Sequence, residues 1–469
     1  MTLHRLAVFF PLVLFLLVFS SAVTPGSAQD RSAPDRLARD IYEQLVNINT
    51  SPAAGTTRAA EGMAKRLLDA GFPPSDVRVL GAQPDQHNLV ARLRGSGSAR
   101  PVLLLAHLDV VEARKEDWSV DPFVFLEKDG YFYGRGTTDD KAQAAIWMAT
   151  VIRLKQEGVV PNRDLIVALT ADEEGGGPAN GVAWLLKTHP ELIDAEYCLN
   201  EGGGGRITRG KKIVNEVQAA EKHYATFVLE VTNKGGHSSL PQKDNAIYRL
   251  AQAVSKLSDY DFPVHLTEVT RAFFERTAAV VGGQDGADMK AVTGAKPDPA
   301  AAARLSKTAL YNALLRTTCI PTRLDAGHAE NALPQMARAT INCRVIPSED
   351  PADVRATLER LVNDPAVSVT ASANSAPVSP ASPLRPDLME AIEQVNAELF
   401  PGVPVIPVMS TGATDGAYLR TAGVPTYGVS GLFEEIDDVR AHGRDERLGV
   451  SAFYEAREFL YRLIRAVTK

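Results

Sequence analysis

Five short segments of the chain carry histidine or carboxylate side chains at spacings that could do chemistry. AHLDVV sets His107 and Asp109 two residues apart behind an apolar run, a spacing that lets an imidazole bind a metal while a nearby carboxylate takes its other ring N–H. GRGTTDDKA places Asp139 and Asp140 at a predicted helix start, where an acid also serves simply as a cap. TADEEGGG puts Asp172, Glu173 and Glu174 after an apolar strand, LNEGGGG ends another strand with Glu201, and AHGRDERL brings His442 and Asp445 late in the chain. Each segment alone has an ordinary reading as strand-end polarity or a solvated turn. Taken together, two distant histidines and carboxylates at successive strand ends form a nitrogen and oxygen ligand set, suited to two zinc ions sharing a bridging carboxylate and a bridging water. Cys198, Cys319 and Cys343 include no C-x-x-C pair, so they allow at most one internal disulfide and no thiolate cage.

The elements that must position these residues follow an alternating pattern. From about residue 35 the periodicity predicts a helix to Leu45, another over 59–70, strands at 88–93 and 102–106, a helix over 143–156, a strand at 164–170, a helix near 181–187 and a strand at 196–200. Such alternation indicates an α/β sheet domain. The polar residues sit where apolar strands run out, the edge at which open α/β sheets bind ligands. After about Glu221 the texture changes: alternating strands at 226–232 and 338–346, a helix near 245–257, and an Ala-rich stretch over 269–314 read as helical insertion in a second, α+β domain. A Ser- and Pro-rich connector, 372–387, precedes a return to α/β texture. The expected organisation is therefore a catalytic domain over 35–220 and 377–469, interrupted by an inserted domain over 221–376.

The 469 residues, 45% hydrophobic and 23% charged, are those of an ordinary folded protein with room for more than one core. A net charge of −7 offers no basic excess for nucleic acid. The first 28 residues carry Arg5, an apolar run from Leu6 to Phe19 and then small residues, which is a signal-peptide layout, with cleavage after Ala22 or Ala28. The run is shorter than the ~20 residues that span a bilayer, so the expectation is export to the periplasm or exterior without stable membrane insertion, a retained anchor being the alternative.

The segments HLDVV, YGRGTTDDKA, TADEEGG, EGGGG, GGHSSLP, NALP, TGATDGAYL and AHGRDE occur in the order of the metallopeptidases that include aminoacylase, acetylornithine deacetylase, succinyl-diaminopimelate desuccinylase and carboxypeptidase G, and the chain resembles them from roughly residue 38 onward. The resemblance implies a zinc-exopeptidase-like α/β domain, with a mixed sheet and helices on both faces, carrying an inserted α+β lid and dimerisation domain. It implies that His107 and His442 each bind one of two zinc ions, that Asp139 bridges them, and that Glu174 and Glu201 complete one ion each. Glu173 would be the general base and Asp109 the orienting partner of His107. His237 of GGHSS would stabilise the oxyanion from the second domain, arriving from the neighbouring subunit in a homodimer or from the same chain. Arg344 and Asn331 resemble contacts to substrate carboxylate and lid, and Gly412 would lend backbone donors. One ligand position, Asp in carboxypeptidase G and several dipeptidases, is Glu here as in aminoacylases and deacylases, which tilts the expected substrate toward N-acyl amino acids rather than peptides.

Other chemistries fare worse. GRITRGKK fits G-x-x-x-x-G-K, yet Lys212 follows where a phosphate loop needs Ser or Thr. Neither G-x-S-x-G nor H-E-x-x-H occurs. A catalytically silent relative acting as a binding or receptor module is the alternative, but it would have no chemical need for Glu173.

Overall fold

The computed structural model describes residues 31–175, 177, 179–372 and 378–469; the expected signal segment and part of the 372–387 connector lie outside the described residues. The first described helix, Ala33–Val46, shows how the local sequence sets its element. Ser32 caps it by accepting from the Asp35 N–H, Pro34 sits in the first turn, and Ala38, Ile41, Tyr42, Leu45 and Val46 bury one face. Among the described residues no helix is long and apolar enough to cross a membrane.

A ten-stranded mixed sheet organises the larger core. Its strands run in the order Val77–Gln83, Gln86–Leu93, Arg163–Thr170, Ala99–His107, Tyr197–Asn200, Thr426–Gly428, Lys211–Glu221, Gly204–Thr208 and Phe433–Glu435, with Val405–Ser410 also pairing parallel to Lys211–Glu221. Alternation along the central strands divides their side chains between two faces. Val102, Leu104 and Ala106 join the core beneath the helices Ala33–Val46, Thr57–Asp69, Lys141–Gln156, Pro386–Leu399 and Val450–Val467. Leu103 and Leu105 face the opposite layer, which includes Val182, Leu185 and Leu419. Burying each leucine in this way contributes about 1.5–3 kcal/mol. The expected mixed sheet with helices on both faces is present.

A second core lies between the sheet Thr318–Ala326, Met336–Val345, His223–Thr232 and Val367–Ala371 and the helices Ala246–Ser258 and Pro351–Val362. Cys319 and Cys343 face each other across the first two strands and form a disulfide. Pro321 obscures the edge strand in the sequence, yet an edge tolerates a missing donor.

The stretch read as helical insertion in the second domain is helical, at Glu268–Val281, Gly283–Val292, Pro299–Leu305 and Ala309–Leu315. Its destination differs from that reading. Val269, Phe274, Met289, Val292, Leu305 and Leu315 belong to the large core, and Glu268–Val281 packs on Val405–Ser410. Helical periodicity identifies an apolar face but does not say which core receives it. The G-x-x-x-x-G-K segment is a β-hairpin, turned at Arg209 and Gly210, both with positive φ as a two-residue turn requires.

Candidate metal centre

Three adjacent parallel strands, Arg163–Thr170, Ala99–His107 and Tyr197–Asn200, end side by side and release His107, the 171–175 turn and Glu201 at one edge. Asp139 precedes the helix Lys141–Gln156 and is joined to Asp140 by a cis peptide bond. His442 enters on the loop before the strand Arg447–Gly449. At this residue φ is 63°, a left-handed conformation that costs a non-glycine residue about 1 kcal/mol or more, so surrounding contacts must hold it.

Five of the anticipated residues converge. His107 Nε2 lies 2.9 Å from Asp139 Oδ1 and 3.9 Å from Glu201 Oε2. On the other side, His442 Nε2 lies 3.0 Å from Asp139 Oδ2 and 2.9 Å from Glu174 Oε1. The donors thus form two groups, His107 with Asp139 and Glu201, and His442 with Asp139 and Glu174, each with ligand atoms within 4.8 Å of one another. Asp139 belongs to both and turns a different oxygen to each histidine, as a bridging carboxylate would. Imidazole nitrogens and carboxylate oxygens suit zinc, and the second group, with His442 half exposed, is the more open to solvent.

The electrostatics follow from packing four acids and two imidazoles together. Burial alone would raise the Asp139 carboxyl, but hydrogen bonds with His107 and His442 outweigh it and hold it below the usual carboxylate range. Burial and the nearby Asp139 carboxylate push Glu201 well up, and burial also raises Glu174. Glu173 belongs to neither ligand group; burial, then Glu201, pushes its carboxyl up to about 10. The excess of mutually repelling carboxylates is a charge pattern that divalent cations would relieve. A cavity of about 270 Å³ adjoins the cluster, lined by Asp139, Asp140, Glu201, Arg206 and Gln218 among others. The backbone of Gly202–Gly204 also lines it, and a Cβ at Gly203 would sit 2.5 Å from the Gly428 carbonyl oxygen.

Asp109 stays beside His107, as an orienting partner would, but meets it chiefly through its backbone. His107 Nδ1 lies 3.0 Å from the Asp109 backbone oxygen and 3.7 Å from its carboxylate. That carboxylate instead accepts from the Glu173 and Glu174 N–H groups, at 3.2 and 3.0 Å. The strand ends at His107, so alternation no longer governs where the Asp109 side chain points. Asp140 occupies the helix N-cap position, as the capping reading expects, but makes no side-chain cap hydrogen bond.

The remaining anticipated residues fall into two pairs, each held by partners of its own. His237 is exposed on the ribbon Gly236–His237, paired with Ala332–Leu333; its Nδ1 lies 2.7 Å from Ser239 Oγ, and its neighbour Ser238 donates to the Asn331 carbonyl. Among the described residues no hydrogen bond or ion pair joins His237 to the five ligands. Arg344 donates to the Thr411 carbonyl at 3.3 Å and lies over the Tyr224 ring, which sets it beside Gly412.

Sequence reasoning missed two buried acids. Asp415, within TGATDGAYL, accepts from Asn180 Nδ2 at 2.6 Å and Thr170 Oγ1 at 3.1 Å, and burial pushes its carboxyl up to about 6. Glu446, four residues after His442, is fully buried against Arg135. Its place in the AHGRDERL segment was the available signal.

A model of peptidase family M20/M25/M40 matches residues 103–466. The human N-fatty-acyl-amino acid synthase/hydrolase PM20D1 is 30% identical over 396 residues, 81% of this chain and 77% of that protein. The probable carboxypeptidase S-like 2 of Dictyostelium discoideum is 32% identical over 397 residues, 82% of this chain and 75% of that one. Among solved structures, an M20 family metallo-carboxypeptidase from Sulfolobus solfataricus superposes with a TM-score of 0.67 at 18% identity, covering 91% of this chain and 98% of that one, a likeness of fold. Because the matched segment takes in most of the chain and reaches from the strand bearing His107 past the loop bearing His442, the chain belongs to peptidase family M20/M25/M40 and is a hydrolase of the metallopeptidase type.

Proposed function

We propose that the chain is an exported two-zinc amidohydrolase that cleaves the amide of an N-acyl amino acid next to a free carboxylate. The observation that carries this is Asp139, whose two oxygens face His107 and His442 while Glu173 stays outside both ligand groups. His107, Asp139 and Glu201 would hold one zinc, and Glu174, Asp139 and His442 the other. Bound there, zinc would polarise the scissile carbonyl and acidify the attacking water. Glu173, left uncommitted by both ligand groups and returned to its carboxylate form where bound cations offset the repulsion that raises it, takes the proton from that water and delivers it to the leaving nitrogen. Asp109 holds the backbone of Glu173 and Glu174, so base and ligand keep their separation. His237 donates to the carbonyl oxygen from the second domain of a neighbouring copy of this chain, and Arg344 with the Gly412 turn receives the substrate carboxylate.

The similarity to a protein named for N-fatty-acyl-amino acids supports an acyl amino acid over a dipeptide. The similarity to a probable carboxypeptidase keeps C-terminal peptide cleavage as the second reading. The Cys319–Cys343 disulfide supports an oxidising compartment, in keeping with the export signal. Incubating the zinc-loaded chain with N-acyl amino acids of short and long acyl length, their methyl esters, and dipeptides tests the reading. Release of free amino acid from the acids but not the esters is expected. Cleavage confined to peptides with a free N-terminus, or none of any substrate, would overturn it.

A further inference from the structure

The loops bearing Asp139 and His442 come from distant parts of the chain, yet one buried ion pair joins them. Glu446 Oε2 lies 2.6 Å from Arg135 Nη1 and accepts from the Gly136 N–H at 3.1 Å. Its other oxygen accepts from the Thr138 N–H at 2.7 Å, the Thr138 hydroxyl at 3.0 Å and the Asp139 N–H at 3.3 Å. Arg135 in turn donates to the His442 carbonyl at 3.4 Å and lies over the Trp118 ring. Further along the same loop, Asp445 accepts from the Ser119 N–H at 2.8 Å. Each partner therefore grips the other's loop: Glu446, carried by the His442 loop, gathers the amides leading to Asp139, and Arg135, carried by the Asp139 loop, holds the carbonyl of His442.

We infer that Glu446 and Arg135 are positioning residues that set the distance between Asp139 and His442, and so govern occupancy of the more exposed metal position, the one formed by Glu174, Asp139 and His442. Neither side chain is a candidate ligand, and both are shielded from solvent. Glu446 fixes the amides of Thr138 and Asp139, and from that anchored backbone the two Asp139 oxygens face the two histidines. Partners of this kind around metal ligands are worth roughly 10–100-fold in metal affinity.

The inference rests on the two-metal reading of the site, and zinc titration separates the two. Apo full-length chains, wild type, Glu446→Gln and Arg135→Lys, are titrated with zinc against a chromophoric chelator, while circular dichroism and the melting temperature report folding. Arg135→Lys keeps a cation for Glu446 but loses the planar fork that reaches the His442 carbonyl, so it informs even where Glu446→Gln does not fold. The wild type is expected to bind two equivalents. In the variants the second equivalent should weaken by roughly 10–100-fold and the first by less. Folded variants that bind both equivalents as the wild type does, or that only melt lower with unchanged affinities, would overturn the positioning role. A folded wild type that binds fewer than two equivalents would overturn the two-metal reading beneath it.

Discussion

His442 Nε2 lies 2.9 Å from Glu174 Oε1, so a histidine near the end of the chain meets the turn after a central strand across 268 residues of sequence. Neither residue has a way to reach the other through local structure. Their meeting depends on the sheet edge presenting the 171–175 turn and on the loop after residue 435 folding back over it. A site assembled from such separate segments is lost when any one segment shifts, and that exposure makes its parts testable one by one.

Glu173→Ala should leave metal content nearly unchanged and lower kcat by roughly 10²–10⁴-fold, because the lost carboxylate moves a proton and holds no ion. Metal analysis beside steady-state kinetics checks this. Loss of zinc together with activity would mean that Glu173 is a ligand.

Asp139→Ala should remove both ions rather than one, since its two oxygens serve both groups. Elemental analysis of the purified variant is the readout, and retention of one full equivalent would argue against a bridge.

His237→Ala should lower kcat by roughly 10²–10³-fold with little change in KM, because oxyanion stabilisation develops only with the charge. Mixing this variant with Glu173→Ala tests whether the histidine crosses between subunits. His237 is exposed and, among the described residues, bonded to none of the five ligands of its own chain, which predicts recovered activity in mixed dimers, whereas none after confirmed subunit exchange would favour a site completed within one chain.

Glu434, which lines the same cavity as Asp139 and Glu201 but joins neither ligand group, provides a pH test in the apo chain. Burial pushes its carboxyl up to about 7. The folded state then holds a proton that the unfolded state releases between about pH 4.3 and 7, so this contribution is present below that window and is lost as pH rises through it. The full shift corresponds to roughly 4 kcal/mol as an upper bound. Melting temperatures of apo Glu434→Gln should therefore fall less steeply from pH 5 to pH 8 than those of the wild type. Parallel curves would contradict the assignment.

Much of this was legible beforehand. The apolar run ending at His107 announced a buried strand, and polar residues following such runs announced the sheet edge. The parts not legible in the sequence lack a local signal. Glu446 looks like any acid in a charged loop, since burial against Arg135 is created only by the fold. The hairpin of Gly204–Thr208 with Lys211–Glu221 hid behind glycines that read as loop. The helices over 268–315 were evident, but their docking on Val405–Ser410 depends on a strand read much later in the chain.

The most direct measurement is zinc titration of the apo chain while cleavage of an N-acyl amino acid is followed in the same samples. Activity should rise with metal and reach its plateau at two bound equivalents per chain. A chain that cleaves the substrate without metal, or reaches full activity at one equivalent, would contradict the two-metal site built around Asp139.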